Sequence, residues 1–295
     1  MDWLKSFPHL SDSTLRELRR VIDDEFRAFT RAYGGIIEGI FEPLRIFLIQ
    51  SERLMLNTPW PIVLLVIAAI AWFASRNWKI VIGSVLTLLL IGLFDMWDDT
   101  MRTVSMIFVC TVVAIAIGIP TGILMSRSNR MQSFINPILD VMQTMPSFVY
   151  LIPVVMLLGI GRVPGVIAVV IYAIPPVIRL TNLGIRMVDK EVLEAADAFG
   201  SSSWQKLKNV QMPLALPTIM AGINQTIMMA LAMVVIASMI GVQGLGQPVL
   251  RAINNQYFTM GIFNGLAIVG IAIIFDRVSQ AYGHRLQKHR EVVHG

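Results

Sequence analysis

The sequence predicts an all-α membrane protein, a polytopic helical bundle of about seven spans preceded by amphipathic helices. Three observations predict it. Of the 295 residues, 55% are hydrophobic and 15% charged, against roughly 25% charged in soluble proteins, and the mean hydropathy is +0.68. The apolar residues fall in long charge-free windows, and most Lys and Arg residues fall on alternate connections between them. Such a chain has too little polar surface to coat a soluble globule, which excludes a soluble enzyme, a disordered chain and a collagen-like fibre. Cys110 is the one cysteine, which excludes a disulfide framework and a Cys-cluster metal site, and three of the four His lie in the last dozen residues. No metal site is assigned.

Residues 1–57 contain no signal peptide, because no apolar core begins near Met1. They carry eight basic and nine acidic residues. Thr14 and Glu17 have the spacing of a capping box, and Leu15, Leu18, Ile22, Phe26, Phe29 and Tyr33 follow by threes and fours. Ile37, Ile40, Leu44, Phe47 and Leu48 form a second stripe. These read as two amphipathic helices lying on the membrane or on the flank of the protein. Their near-neutral charge argues against a sensor of anionic lipid, which would be rich in Lys and Arg.

Crossing ~30 Å of hydrocarbon takes about 20 helical residues. Charge-free windows run Leu54–Ser75, Ile80–Phe94, Thr103–Ser126, Val141–Gly161, Val163–Ile178, Asn209–Leu250 and Ala252–Phe275, seven candidate spans. The second is short and needs Lys79 to snorkel and Trp97 to sit at an interface. The sixth is long enough for one span plus an irregular stretch broken by Gly241, Gly244, Gly246 and Pro248. With Arg76 and Lys79 set on the cytoplasmic side, alternation puts 13 basic residues there and only Arg102, Arg162 and Arg251 opposite. The positive-inside rule then makes the C-terminus cytoplasmic and, with seven spans, the N-terminus extracytoplasmic. The chain divides into the amphipathic region 1–57, two accessory spans in 58–97, a transmembrane core 98–281 with a polar loop 189–213, and a basic cytoplasmic tail 282–295.

That polar loop is the most ordered-looking of the connections. Lys190–Phe199 has helical propensity, with Val192, Leu193 and Ala196 on one face, and Gly200 supplies the positive φ of a helix terminus. Ser201–Ser203 restart a short helix at Trp204–Val210, and Pro213 leads into the next span. Two short helices at a glycine joint, outside the lipid, suit the groove of another protein.

Glu194-Ala195-Ala196, three residues, Gly200, nine residues and Val210-Gln211-Met212-Pro213 resemble the EAA signature of ABC-importer permeases. Val210 and Met212 stand where the family has Ile and Leu. The stretch Asp140–Pro153, the run Pro217–Thr226 and Val234–Gly241 resemble the glycine betaine/proline betaine/choline branch of that family. The resemblance implies the type I ABC-importer permease fold, in a bacterial cytoplasmic (inner) membrane. It implies two permease copies with two copies of an ABC ATPase subunit, and an extracytoplasmic substrate-binding protein that delivers the cargo. It also makes the EAA loop the element seated on the ATPase: Glu194 as charged contact, Ala195 and Ala196 as close packing, Gly200 as turn and Pro213 as the start of the following span.

No cofactor is assigned to this chain; ATP and Mg belong to the partner ATPase. No phosphate-binding loop occurs, since Gly159–Gly165 lacks the Lys, and no catalytic constellation lies at membrane depth. The net charge of +5 and a pI near 9.6 come without aromatic-basic interleaving, so no nucleic acid is expected. A competing class, an ATP-independent secondary transporter or channel for small osmolytes, predicts charges inside the spans or an internal repeat, and the windows show neither. For the pathway, Pro146 breaks a span, and Phe148 and Tyr150 are the aromatic candidates to hold a quaternary ammonium. Asn224 and Gln225 are candidates for the carboxylate end of the cargo, and Met228 belongs to a soft stripe on the sixth window.

Overall fold

The computed structural model describes the backbone of residues 10–291 and the side chains of 10–283 and 285. Residues 1–9 and the last four of the expected tail 282–295 lie outside the described residues, and the rest of that tail continues the final helix to Glu291. Among the described residues there is no strand.

Helix α1 runs Asp12–Asn57. It starts earlier than the expected capping box requires: Ser11 is the cap, its hydroxyl accepting from the Thr14 amide at 3.3 Å. Thr14 is thereby inside the first turn and forms no box with Glu17. The two expected amphipathic helices are one helix of 46 residues with Pro43 inside it. Pro43 has no N–H to give the carbonyl of Gly39, and Gly39 is exposed, so that carbonyl is open to solvent or headgroups.

At Thr58 the chain bends by 110° into α2, Trp60–Ser75. Arg76 in the left-handed region ends α2, and Asn77 caps α3, Trp78–Leu93. Helix α4, Trp97–Arg127, is the first long span. Then come α5, Asn129–Thr144, a 3₁₀ turn Ser147–Tyr150, and α6, Leu151–Leu158, bent from α5 by 111°. Helices α7, Arg162–Ala173, and α8, Pro175–Arg186, join into one 25-residue span. The loop helices α9, Lys190–Ala198, and α10, Ser203–Lys206, precede a π turn Leu207–Gln211 and α11, Met212–Ala232. Helices α12, Val234–Ser238, α13, Gly246–Asn255, and α14, Phe258–Glu291, complete the chain.

Among the described residues, four helical segments are long and apolar enough to cross a membrane, six if each bent pair counts as one span, with α3 a shorter apolar helix of 16 residues. These segments fall on the seven expected windows, two of which are bent, and prolines are the reason. Thr58 and Met145 precede Pro59 and Pro146 and sit extended at ψ 129° and 134°, because the proline ring excludes the helical region for the residue before it. The windows Leu54–Ser75 and Val141–Gly161 are broken at those points. The sixth window does hold one span and an irregular stretch, with Gly241 and Gly244 at positive φ. Gly246 and Pro248 do not break it; they open α13, whose first turn needs no proline N–H.

The core of the bundle is α8 held between α4 and α11. A Cβ on Gly122 of α4 would lie 2.6 Å from Cβ of Thr181 and 2.7 Å from the Ile178 carbonyl oxygen. A Cβ on Gly222 of α11 would lie 3.0 Å from Cβ of Leu180, on another face of α8. Small residues let the backbones meet, which is how helices associate where lipid removes the hydrophobic drive between them.

Each end of the bundle is tied by arginines. At one end, Glu52 of α1 accepts from Arg162 at 2.5 Å and lies 3.6 Å from Nε of Arg102, and Gln243 accepts from both arginines. At the other, Arg127 donates to the Ser203 carbonyl, Arg186 to that of Met125, and Arg285 to that of Phe73. Replacing Gly122 by Leu overpacks the α4–α8 contact and is expected to cost ~1–3 kcal/mol. A lowered thermal midpoint of the detergent-solubilised protein checks it, with Gly83→Ala, which meets nothing within 4 Å, as the unchanged control.

Candidate functional site

The loop between α8 and α11 folds as its local chemistry dictates. Asp189 caps α9, its carboxylate accepting from the Glu191 amide at 3.0 Å. After Ala198 the chain closes back on itself: the amides of Phe199, Gly200 and Ser201 donate to the carbonyls of Ala195, Asp197 and Ala196. Gly200 takes φ +75°, which its missing side chain permits. Ser202 and Gln205 then form a reciprocal capping box that starts α10. The expected helix over Trp204–Val210 is in fact α10 followed by the π turn, which passes directly into α11.

Three contacts hold this loop to the bundle. Lys206 pairs with Asp197 at 2.6 Å, closing α9 onto α10. Arg127 from the end of α4 reaches the Ser203 carbonyl at 3.1 Å. Leu207, 2% exposed, packs with Ile185, Ala215 and Ile219 beneath the loop.

The residues singled out in sequence are divided by this geometry. Ala196 is buried and anchors α9, whereas Glu194 and Ala195 face outward on the same helix. Gly200 makes the joint, and Pro213 opens α11. Beside them two large side chains stand in solvent, Phe199 at 91% exposure and Trp204 at 65%. Their exposure was not anticipated, although a Phe and a Trp flanking a polar glycine joint were visible signals. The loop thus shows a carboxylate, small residues and two aromatic rings at the end of a spanning bundle.

The expected pathway residues do not form one cluster. Pro146 caps the 3₁₀ turn at the α5–α6 bend. Phe148 is exposed. Tyr150 is buried, its hydroxyl donating to the Met142 carbonyl and its ring meeting Tyr172 edge-on at 6.1 Å. Asn224 is engaged elsewhere: its amide donates to Asp276 at 3.0 Å and its oxygen accepts from Ser279, both on α14. Gln225 and Met228 lie on the exposed side of α11. Among the described residues, no hydrogen bond or ring contact joins Phe148 or Tyr150 to the α11 trio. Periodicity could not show that Asn224 is spent on fixing α14.

Residues 114–288 match the family of binding-protein-dependent transport system inner membrane components. The chain belongs to that family. It is 46% identical over 265 residues to the glycine betaine/carnitine transport permease protein GbuB of Listeria monocytogenes, covering 88% of this chain and 89% of that one. It is 46% identical over 292 residues to the glycine betaine/proline betaine transport system permease protein ProW of Escherichia coli, covering 96% of this chain and 82% of that one. Among solved structures, an inward-facing form of the MetNI methionine ABC transporter matches with a TM-score of 0.57 and 18% identity, over 63% of this chain and 93% of that one. The fold is that of an ABC-importer permease, and the matched segment contains the α8–α11 loop.

The loop's internal order rests on the Ser202 cap. Ser202→Ala is expected to cost about 1 kcal/mol locally. Faster amide exchange over residues 203–207, with α11 unchanged, checks it.

Proposed function

We propose that this chain is the transmembrane permease subunit of an ATP-driven importer of quaternary amines such as glycine betaine, proline betaine or choline. One observation carries the reading. In a chain that matches betaine permeases over most of its length, the one elaborately folded connection presents Glu194, Ala195, Phe199 and Trp204 outward.

In this reading the loop end of the bundle is cytoplasmic, as the basic residues gathered at that end favour. Two copies of the chain pair with two ATPase subunits, and an extracytoplasmic binding protein delivers cargo to the other end. ATP and Mg are held by the ATPase, which performs the hydrolysis. The loop is the mechanical link: Glu194 contacts the ATPase, Ala195 lets it approach, Ala196 fastens α9 to its own bundle, and Gly200 keeps the two short helices at a fixed angle. Closure of the ATPases pushes on α9. The push passes through the Lys206–Asp197 pair and the Arg127 contact into α4 and α11, switching the pathway between its two faces. A bend on a packed, two-state frame transmits force because such cores rearrange between discrete packings.

Gly200→Val places a β-branched residue at φ +75°, a strained conformation costing ~1–3 kcal/mol. The variant is expected to reach the membrane normally and to lose at least ten-fold of cargo-stimulated ATP hydrolysis in the assembled complex; normal stimulation would reject the loop's role. A cysteine at Ala198, exposed where the native Cys110 is buried, is expected to crosslink to a P-loop ATPase in native membranes. A reactive thiol that captures no ATPase points to the ATP-independent class.

A further inference from the structure

One ion pair inside the membrane span remains unused by this mechanism. Arg179 lies in the span Arg162–Arg186, seven residues before its end, so about 10 Å inward from Arg186 at 1.5 Å per residue. Its Nη2 donates to the Asp140 carboxylate on α5, and its Nε, buried, has no acceptor. The pair is far from dry: the side chains are 37% and 63% exposed.

An ionised pair on an apolar span turns to protein, to a water-filled cavity or to the headgroup interface rather than to hydrocarbon. The pair therefore marks the wet side of the subunit. Its surroundings are built to hold it there. The Tyr150 hydroxyl bonds the carbonyl of Met142, two residues from Asp140, and the Tyr150 ring meets Tyr172, seven residues before Arg179 in the same span. A ring contact and an ion pair thus join α5 with its following turn to the α7–α8 span, fixing the guanidinium in position. Nε and Nη2 form the edge of arginine that takes a carboxylate through two parallel hydrogen bonds. Asp140 holds Nη2 of that edge and Nε is enclosed by protein in this state, so another carboxylate takes the edge only in the place of Asp140.

We infer that Arg179 is the permease residue that recognises the carboxylate of a small zwitterionic cargo on its way through the membrane, with Asp140 as the positioning residue that holds the guanidinium between transits. The inference rests on the importer reading and adds a specificity-determining residue to it. Exchange of one carboxylate for another on the same edge keeps the guanidinium paired, the displaced Asp140 turns to its exposed side, and the cargo is released when Asp140 returns. This is weak, reversible binding, suited to a pathway.

The test uses the full complex in proteoliposomes, with its ATPase and binding protein, and reads glycine betaine uptake per ATP hydrolysed. Arg179→Gln is expected to lower that ratio at least ten-fold. Asp140→Asn, which leaves the cation but removes the carboxylate that positions it, is expected to lower the ratio about three-fold, clearly less than Arg179→Gln. The exchange D140R with R179D keeps an ion pair and reverses its polarity, and is expected to fail like Arg179→Gln. Equal effects of the two single variants, or uptake restored by the exchange, would show a merely structural pair and overturn the inference. If the exchange does not assemble, the two single variants decide. Absence of ATP-dependent betaine uptake in the wild-type complex is a different outcome, and it would reject the importer reading itself.

Discussion

Close backbone contact across α8 is the constraint on which the rest depends. In lipid, apolar side chains gain nothing by leaving the surroundings for a neighbouring helix, so association rests on van der Waals fit and hydrogen bonds. Gly122 on α4 and Gly222 on α11 bring both neighbours to the backbone of α8. That sandwich sets the positions from which α8 and α11 emerge, and hence the span the polar loop must bridge. The same α8 carries Arg179 on its wet side, so the frame that aims the loop also aims the cation.

Order at the two ends is achieved differently. The loop end relies on arginines reaching backbone carbonyls and on local caps at Asp189 and Ser202. The opposite end relies on one carboxylate: Glu52, whose side chain is 12% exposed, gathers Arg102 and Arg162, and Gln243 completes the cluster. It fastens α1 to the starts of α4 and α7 and to the turn before α13. A helix of 46 residues leaving a spanning helix at a 110° bend would otherwise have only its C-terminal stripe, Leu44, Phe47 and Leu48, to hold it to the core.

Much of this was legible in the chain. Composition and charge-free windows gave an all-helical membrane protein, and the loop's helices, glycine joint and following proline were placed within a few residues. Boundaries failed where a single proline outweighed an apolar run. Pro59 and Pro146 turn the chain through more than a right angle inside windows that hydropathy reads as continuous. Asn224 has bonds that no local pattern shows, because its partners, Asp276 and Ser279, lie more than fifty residues away. Arg179 and Asp140 read as a cytoplasmic and an interfacial charge, because each stands at the edge of an apolar window.

The sequence by itself determined the solvent of this protein, the spans, the polar loop and the family resemblance, because hydropathy, charge and local turn chemistry act over a few neighbouring residues. Only the tertiary structure decided which side chains are left over. Ala196 is buried and Phe199 exposed, Asn224 is consumed by α14, and Arg179 keeps a free Nε beside Asp140. Those outcomes depend on which helices meet and how closely, and that is settled by packing between residues distant in the chain, where no local pattern reaches.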